Sequence, residues 1–159
     1  MVFVMVGSLT SNSVAADKAA VLTLSDALSQ VTLFTGLTDA ERGALQSAAT
    51  LRRGLAGERI IQQGTALDTM FIILEGPAEV RINGKPFVTL TGQTLVGEVE
   101  FLDPLSASAD VVLLKETNLI ALNFAALSEL MEKRPRLGFV IMSELARIEA
   151  RRLRATNPK

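Results

Sequence analysis

Glycines at 54, 57, 64, 76, 84, 92 and 97 cut the middle of this chain into pieces too short for ordinary helices. Glycine serves tight turns and positive φ angles, and it weakens a helix interior. Between and beyond these breaks lie short apolar runs: ERIIQQG, MFIILEG, AEVRI, KPFVTLTG, ADVVLLKE and TNLIALN. Each reads as a strand. Asn83-Gly84 is a strong two-residue hairpin signal between AEVRI and KPFVTL. Short strands at this spacing, about eight in all, imply an antiparallel sandwich or barrel-like roll. FIIL and VVLL are apolar throughout, so those strands are expected to be covered on both faces.

Helical periods flank this region. Ser25 is expected to cap SDALSQV, and Leu33, Phe34 and Leu37 then read as core anchors. Thr38 and Glu41 form a T-x-x-E capping box that opens a helix over 39–49, with Ala40, Leu45, Ala48 and Ala49 inward. FAALSELMEKRP is a helix that ends near Pro135, because the residue before proline disfavours helical angles. RLGFVIMSELARIEARRLR is a final helix of about 18 residues, roughly 27 Å long. Its second half keeps Leu145, Ile148 and Leu153 as large apolar residues, for packing on the roll or for a seam with a second copy. Arg147, Arg151 and Arg154 run along one side as a solvated row, partly balanced by Glu144 and Glu149. The expected organisation is a poorly ordered leader over 1–22, one domain over 23–154 and a tail over 155–159. The fold class is mainly β with flanking helices: an antiparallel, jelly-roll-like β-roll with N-terminal helices and two C-terminal helices.

Composition excludes several functions. The chain of 159 residues suits one domain, and its 48% hydrophobic content is that of a globular protein. It has no Cys, which removes disulfides, thiol redox switching and Cys-ligated iron–sulfur clusters. It has no His, which removes the usual general base and the commonest metal ligand. A Ser-His-Asp hydrolase and a zinc or His-ligated metal enzyme are thereby excluded. The net charge of −1 creates no global field for nucleic acid or an acidic membrane. No run approaches the ~20 apolar residues of a membrane span, so a cytoplasmic protein is expected. The N-terminal MVFVMV has no basic n-region and is shorter than a secretory h-region. It reads as a leader or a misassigned start rather than a cleaved signal peptide.

Two stretches then combine. LAGERIIQQGTALDTMFIILEGPAEV carries Gly57, Gly64, Asp68, Phe71, Gly76 and Val80, and GQTLVGEVEFL carries Gly92, Gly97 and Glu98. Over about residues 25–154 the chain resembles the cyclic nucleotide-binding domain family, which includes sensor halves of catabolite-activator-type regulators, kinase regulatory subunits and gated channels. The resemblance implies that LVGEVEFL is a phosphate-binding cassette. Its short helix would aim backbone N–H groups at a cyclic phosphate, and Glu98 would accept a hydrogen bond from the ribose 2′-hydroxyl. The implied ligand-binding residues are Gly97, Glu98, Val99, Glu100, Ala107, Ser108 and Ala109, with cAMP or cGMP as the ligand and no cofactor or metal.

The chain departs from the family where the phosphate is held. The arginine that pairs with phosphate falls on Ala107, and the following Thr position on Asp110. Residues 86–114 contain no Lys or Arg but include Glu98, Glu100, Asp103 and Asp110. An Arg–phosphate pair is charge-assisted and often bidentate, and leaving one partner of such a buried pair alone costs ~3–5 kcal/mol. Cyclic nucleotide binding is therefore expected to be weak or lost, unless a cation arrives from the last helix, where Arg147, Arg151 and Arg152 are candidates.

The expected function is a regulatory small-molecule sensor, not an enzyme. Its output would pass to an effector protein or a homodimer through the last helix, about 137–154. No DNA-binding helix-turn-helix is expected in this chain. A degenerate domain serving as a protein-interaction module, or binding another ligand, is the alternative. A cupin-like barrel is disfavoured by the absence of His.

Overall fold

The computed structural model describes residues 21–157. Most of the expected leader, and with it the signal-peptide question, lies outside them. The chain enters through α1 (Leu24–Ser29), a 3-10 turn (Thr32–Phe34), α2 (Asp39–Ala44) and a second 3-10 turn (Leu45–Ser47). Eight strands follow: β1 (Ala49–Gly54), β2 (Arg59–Ile61), β3 (Thr69–Ile73), β4 (Ala78–Ile82), β5 (Lys85–Leu90), β6 (Thr94–Val96), β7 (Asp110–Leu113) and β8 (Thr117–Asn123). A single helical turn and a half, α3 (Glu98–Leu102), interrupts them between β6 and β7. α4 (Phe124–Lys133) and α5 (Pro135–Thr156) close the chain.

The strands make two four-stranded antiparallel sheets, in the orders β1-β8-β3-β6 and β2-β7-β4-β5. This is the expected β-roll with helices at both ends. AEVRI and TNLIALN form strands over the lengths read from the sequence. The β4–β5 hairpin turns at Asn83 and Gly84, both at positive φ (53° and 77°), the backbone a right-twisted two-residue hairpin requires.

Two cores explain why β3 and β8 are apolar on both faces. Met70 and Ile72 of β3 and Ile120 and Leu122 of β8 pack against Leu28, Phe34, Leu45, Leu127, Leu137 and Leu145 from the helices. Ile73 and Leu119, from the same two strands, point the other way. They meet Ile61, Ala78, Val96, Val111 and Leu113 between the sheets. Burying a side chain of this size contributes ~1.5–3 kcal/mol. Gly54 also belongs to the inter-sheet core: a Cβ there would lie 2.3 Å from the Leu113 Cδ1.

Several local expectations are corrected. Thr23, not Ser25, caps α1, its hydroxyl accepting from the Asp26 N–H at 3.1 Å. The Thr38–Glu41 capping box forms, but its α-helix stops at Ala44 and passes into a 3-10 turn, and residue 49 already opens β1. Ala40 is exposed, whereas Leu45, Ala48 and Ala49 are buried as expected. α5 runs from Pro135 to Thr156, 22 residues or about 33 Å, extending into the stretch expected to be tail. Leu145 and Ile148 pack on the domain's own core, so of the three expected seam residues only Leu153 stays exposed.

A cavity floored by Glu98 and roofed by Arg152

Between β6, α3, the entry to β7 and the end of α5 lies a cavity of about 250 Å³. Gly97, Glu98, Val99, Glu100, Ser108 and Ala109 line it, together with Ile61, Val80, Leu90 and Val111 from the strands and Arg152 from α5. Six of the seven residues expected at a ligand site therefore converge on one space.

Gly97 makes the turn that places them. It sits at φ 85°, where a side chain is strained, and a Cβ there would come 3.1 Å from the Met70 Cα of β3. The β6–α3 junction thus crosses closely over the central strand, and Glu98 enters the floor of the cavity instead of solvent. Glu98 is 3% exposed, and it and Thr117 are the buried polar residues among those described.

Ala107 is the exception. It is buried with Ile61, Val96 and Val111 in the inter-sheet core and does not line the cavity. Its backbone is fixed from both sides: its N–H donates to the Thr65 carbonyl and its carbonyl accepts from the Gly64 N–H, each at 2.8 Å. Ser108, the next residue, faces the cavity instead. Asp110, expected to repel an anion, is turned away from it. One carboxylate oxygen accepts from the Gln63 N–H at 2.7 Å and the other lies 3.8 Å from the Arg59 guanidinium.

The cation comes from the last helix. Of the three candidates, Arg147 pairs with Glu144, Arg151 borders a neighbouring groove beside Gln93 and Glu144, and Arg152 reaches the cavity. Arg152 Nη1 donates to Glu98 Oε1, and its Nη2 donates to the Leu95 carbonyl at 2.9 Å. Nη1 also lies 3.3 Å from Glu149 Oε1, one turn earlier on α5. Burial, reinforced by a hydrogen bond with Glu149, pushes the Glu98 carboxyl up to about 7, against the pull of Arg152. The Arg152 side chain is 42% exposed and shared with Glu149, whereas the Glu98 side chain is 4% exposed.

The sequence model of the cyclic nucleotide-binding domain matches residues 51–134, more than half of the chain. The chain belongs to the cyclic nucleotide-binding domain family. The match spans the two sheets, the α3 segment and α4, and so contains every cavity residue except Arg152.

The chain is also similar to several named proteins. The Pycsar effector protein XpPycTIR of Xanthomonas perforans is 33% identical over 109 residues, which are 68% of this chain and 36% of that protein. This cyclic nucleotide-binding domain thus spans about a third of the length of the curated relative it matches. The crystal structure of the catabolite activator protein of Thermus thermophilus superposes with a TM-score of 0.64 at 28% identity, over 77% of this chain and 58% of that one. The regulatory subunit of a cAMP-independent protein kinase A from Trypanosoma brucei superposes with a TM-score of 0.57 at 27% identity, over 69% and 42% of the two chains.

Proposed function

We propose that this domain is a small-molecule sensor whose cavity takes a cyclic nucleotide, or a close sugar-phosphate relative, with low affinity. The observation that supports this most is Glu98: a buried carboxyl on the cavity floor, presented by a left-handed glycine. A buried carboxyl at a cavity is a costly group, and a hydroxyl-bearing ligand gives it a partner. Ser108 adds a hydroxyl to the lining, and Leu90, Val80 and Val111 give an apolar wall. The cavity volume of about 250 Å³ falls just below the ~300–1,000 Å³ of typical ligand pockets, which suits the sugar-phosphate half of a nucleotide and leaves the base at the mouth.

Low affinity follows from charge. Arg152 is the one cation among the lining residues, and it is already paired with Glu98. A phosphate entering beside Ser108 and Ala109 meets no free guanidinium. Leaving a buried phosphate without its partner costs ~3–5 kcal/mol, or about two to three and a half orders of magnitude in affinity. The protein acts by binding rather than by catalysis. Its output runs through α5, where Phe139, Met142 and Leu153 are exposed to an effector protein or a second copy.

A second reading is favoured by the same ion pair. The chain's own arginine occupies the carboxyl that a ligand would use, which makes the domain an interaction module with a self-filled cavity. The similarity to a kinase regulatory subunit that is cAMP-independent is in keeping with it. Titration calorimetry with the four common cyclic nucleotides separates the two. The sensor reading expects saturable binding in the high-micromolar to millimolar range, abolished by Glu98→Ala. Absence of binding by all four, with the protein folded, would decide for the interaction module.

A further inference from the structure

The end of α5 is held to the domain by one side chain. Beyond Glu149, among the described residues, the hydrogen bonds that tie α5 to the rest of the domain all come from Arg152, to Glu98 and to the Leu95 carbonyl. Its neighbours Arg151, Leu153 and Arg154 are exposed. Glu98, 54 residues away in sequence, is also the carboxyl that floors the cavity. One group therefore serves two claimants: the last helix and whatever enters the cavity.

We propose that Arg152 is an intramolecular competitor for the ligand site, so that a ligand hydroxyl that takes Glu98 displaces Arg152 and releases the last two turns of α5. This rests on the sensor reading above for the identity of the ligand, but the latch itself does not. The competition is reciprocal by thermodynamic necessity: a contact that disfavours ligand is disfavoured by ligand to the same degree. The groups facing the pair are few. Glu149 stands 3.3 Å from the guanidinium on its own helix, and Glu100 lines the cavity on the α3 side. Glu149, one turn earlier on the same helix, gives the displaced guanidinium a carboxylate to pair with. Leu95, whose carbonyl takes the second guanidinium nitrogen, lies in β6, immediately before Val96 and Gly97, so the latch grips both the strand and the helix that frame the cavity.

The test has two arms. In the first, amide hydrogen exchange of residues 149–156 is followed without ligand in the wild type, in Arg152→Ala and in Glu98→Gln. Hydrogen bonds to charged groups are worth enough that losing this one should speed exchange about tenfold. Alanine is the better helix former, so faster exchange in Arg152→Ala cannot come from intrinsic propensity. Exchange unchanged in Arg152→Ala overturns the proposal, while Glu98→Gln shows whether the carboxylate is the partner that matters. In the second arm, cyclic AMP is titrated to millimolar concentration into wild type and Arg152→Ala. Tighter binding by the variant is the expected result. Weaker binding by the variant overturns competition and makes Arg152 a clamp. If cyclic AMP binds to neither protein, the sensor reading fails for that ligand, and the first arm alone decides whether the helix is latched.

Discussion

At the scale of the residue, two neighbours divide the site between them. Ala107 faces the inter-sheet core and Ser108 faces the cavity. The two positions should therefore answer differently to the same added cation. Ser108→Arg should tighten cyclic nucleotide binding tenfold or more, since a charge-assisted phosphate pair is roughly twice as strong as a neutral hydrogen bond. Ala107→Arg should instead unfold or strongly destabilise the domain, because it drives an unpaired charge into an apolar core. Calorimetry and urea denaturation of the two variants check this pair of outcomes.

Glu98 gives a second prediction at the same scale. Its folded-state value of about 7 lies above its ordinary 4.5, so the folded protein holds the proton more tightly than the unfolded chain. The stability this contributes is complete below pH 4.5 and is lost as the pH rises to about 7. At about 1.4 kcal/mol for each pH unit, the loss amounts to a few kcal/mol. Glu58 works in the opposite sense: the hydrogen bond from Arg52 holds it low, so its contribution disappears as the pH falls below 4.5. Stability should peak at about pH 5. Glu98→Gln should flatten the decline on the neutral side, and urea midpoints from about pH 5 to pH 8 would reveal it. A wild-type midpoint that rises towards neutrality would contradict the assignment.

At the scale of the element, the α4–α5 hairpin depends on close approach at Gly138. A Cβ there would lie 3.0 Å from the Met131 carbonyl oxygen and 3.1 Å from the Met131 Cβ. Gly138→Ala should cost ~1–3 kcal/mol by overpacking, read as a lower urea midpoint with an unchanged slope. Elements were legible in the sequence where pattern and boundary agreed. AEVRI and TNLIALN end at turn residues and were read to their last residue. ATLRRG gives no strand signal, because its Ala49 fits the end of the preceding helical pattern and Arg52 and Arg53, both exposed on this edge strand, break the apolar alternation. TLV is three residues long and was read as part of the cassette that follows it. The site was legible where it is local: Gly97, Glu98 and Ser108 lie within one short stretch. Arg152 appeared only as one of three arginines on a helix. What selects it is the rotation of α5, fixed by Leu145 and Ile148 against the first core, and no local spacing encodes that.

At the scale of the whole molecule, β3 and β8 supply side chains to both cores, so neither core can be dismantled without the other. The described residues include no helix long and apolar enough to cross a membrane. The helices and the roll are thus one folding unit, with the cavity at the margin of the inter-sheet core and α5 reaching back over it. The one-residue alternation at 107 and 108 separates the scaffold from its contents. Folding depends on what stands at 107 and hardly on what stands at 108. A substitution at 108 can therefore change the chemistry of the cavity while the scaffold stays intact, so what the cavity holds is uncoupled from what holds the cavity up.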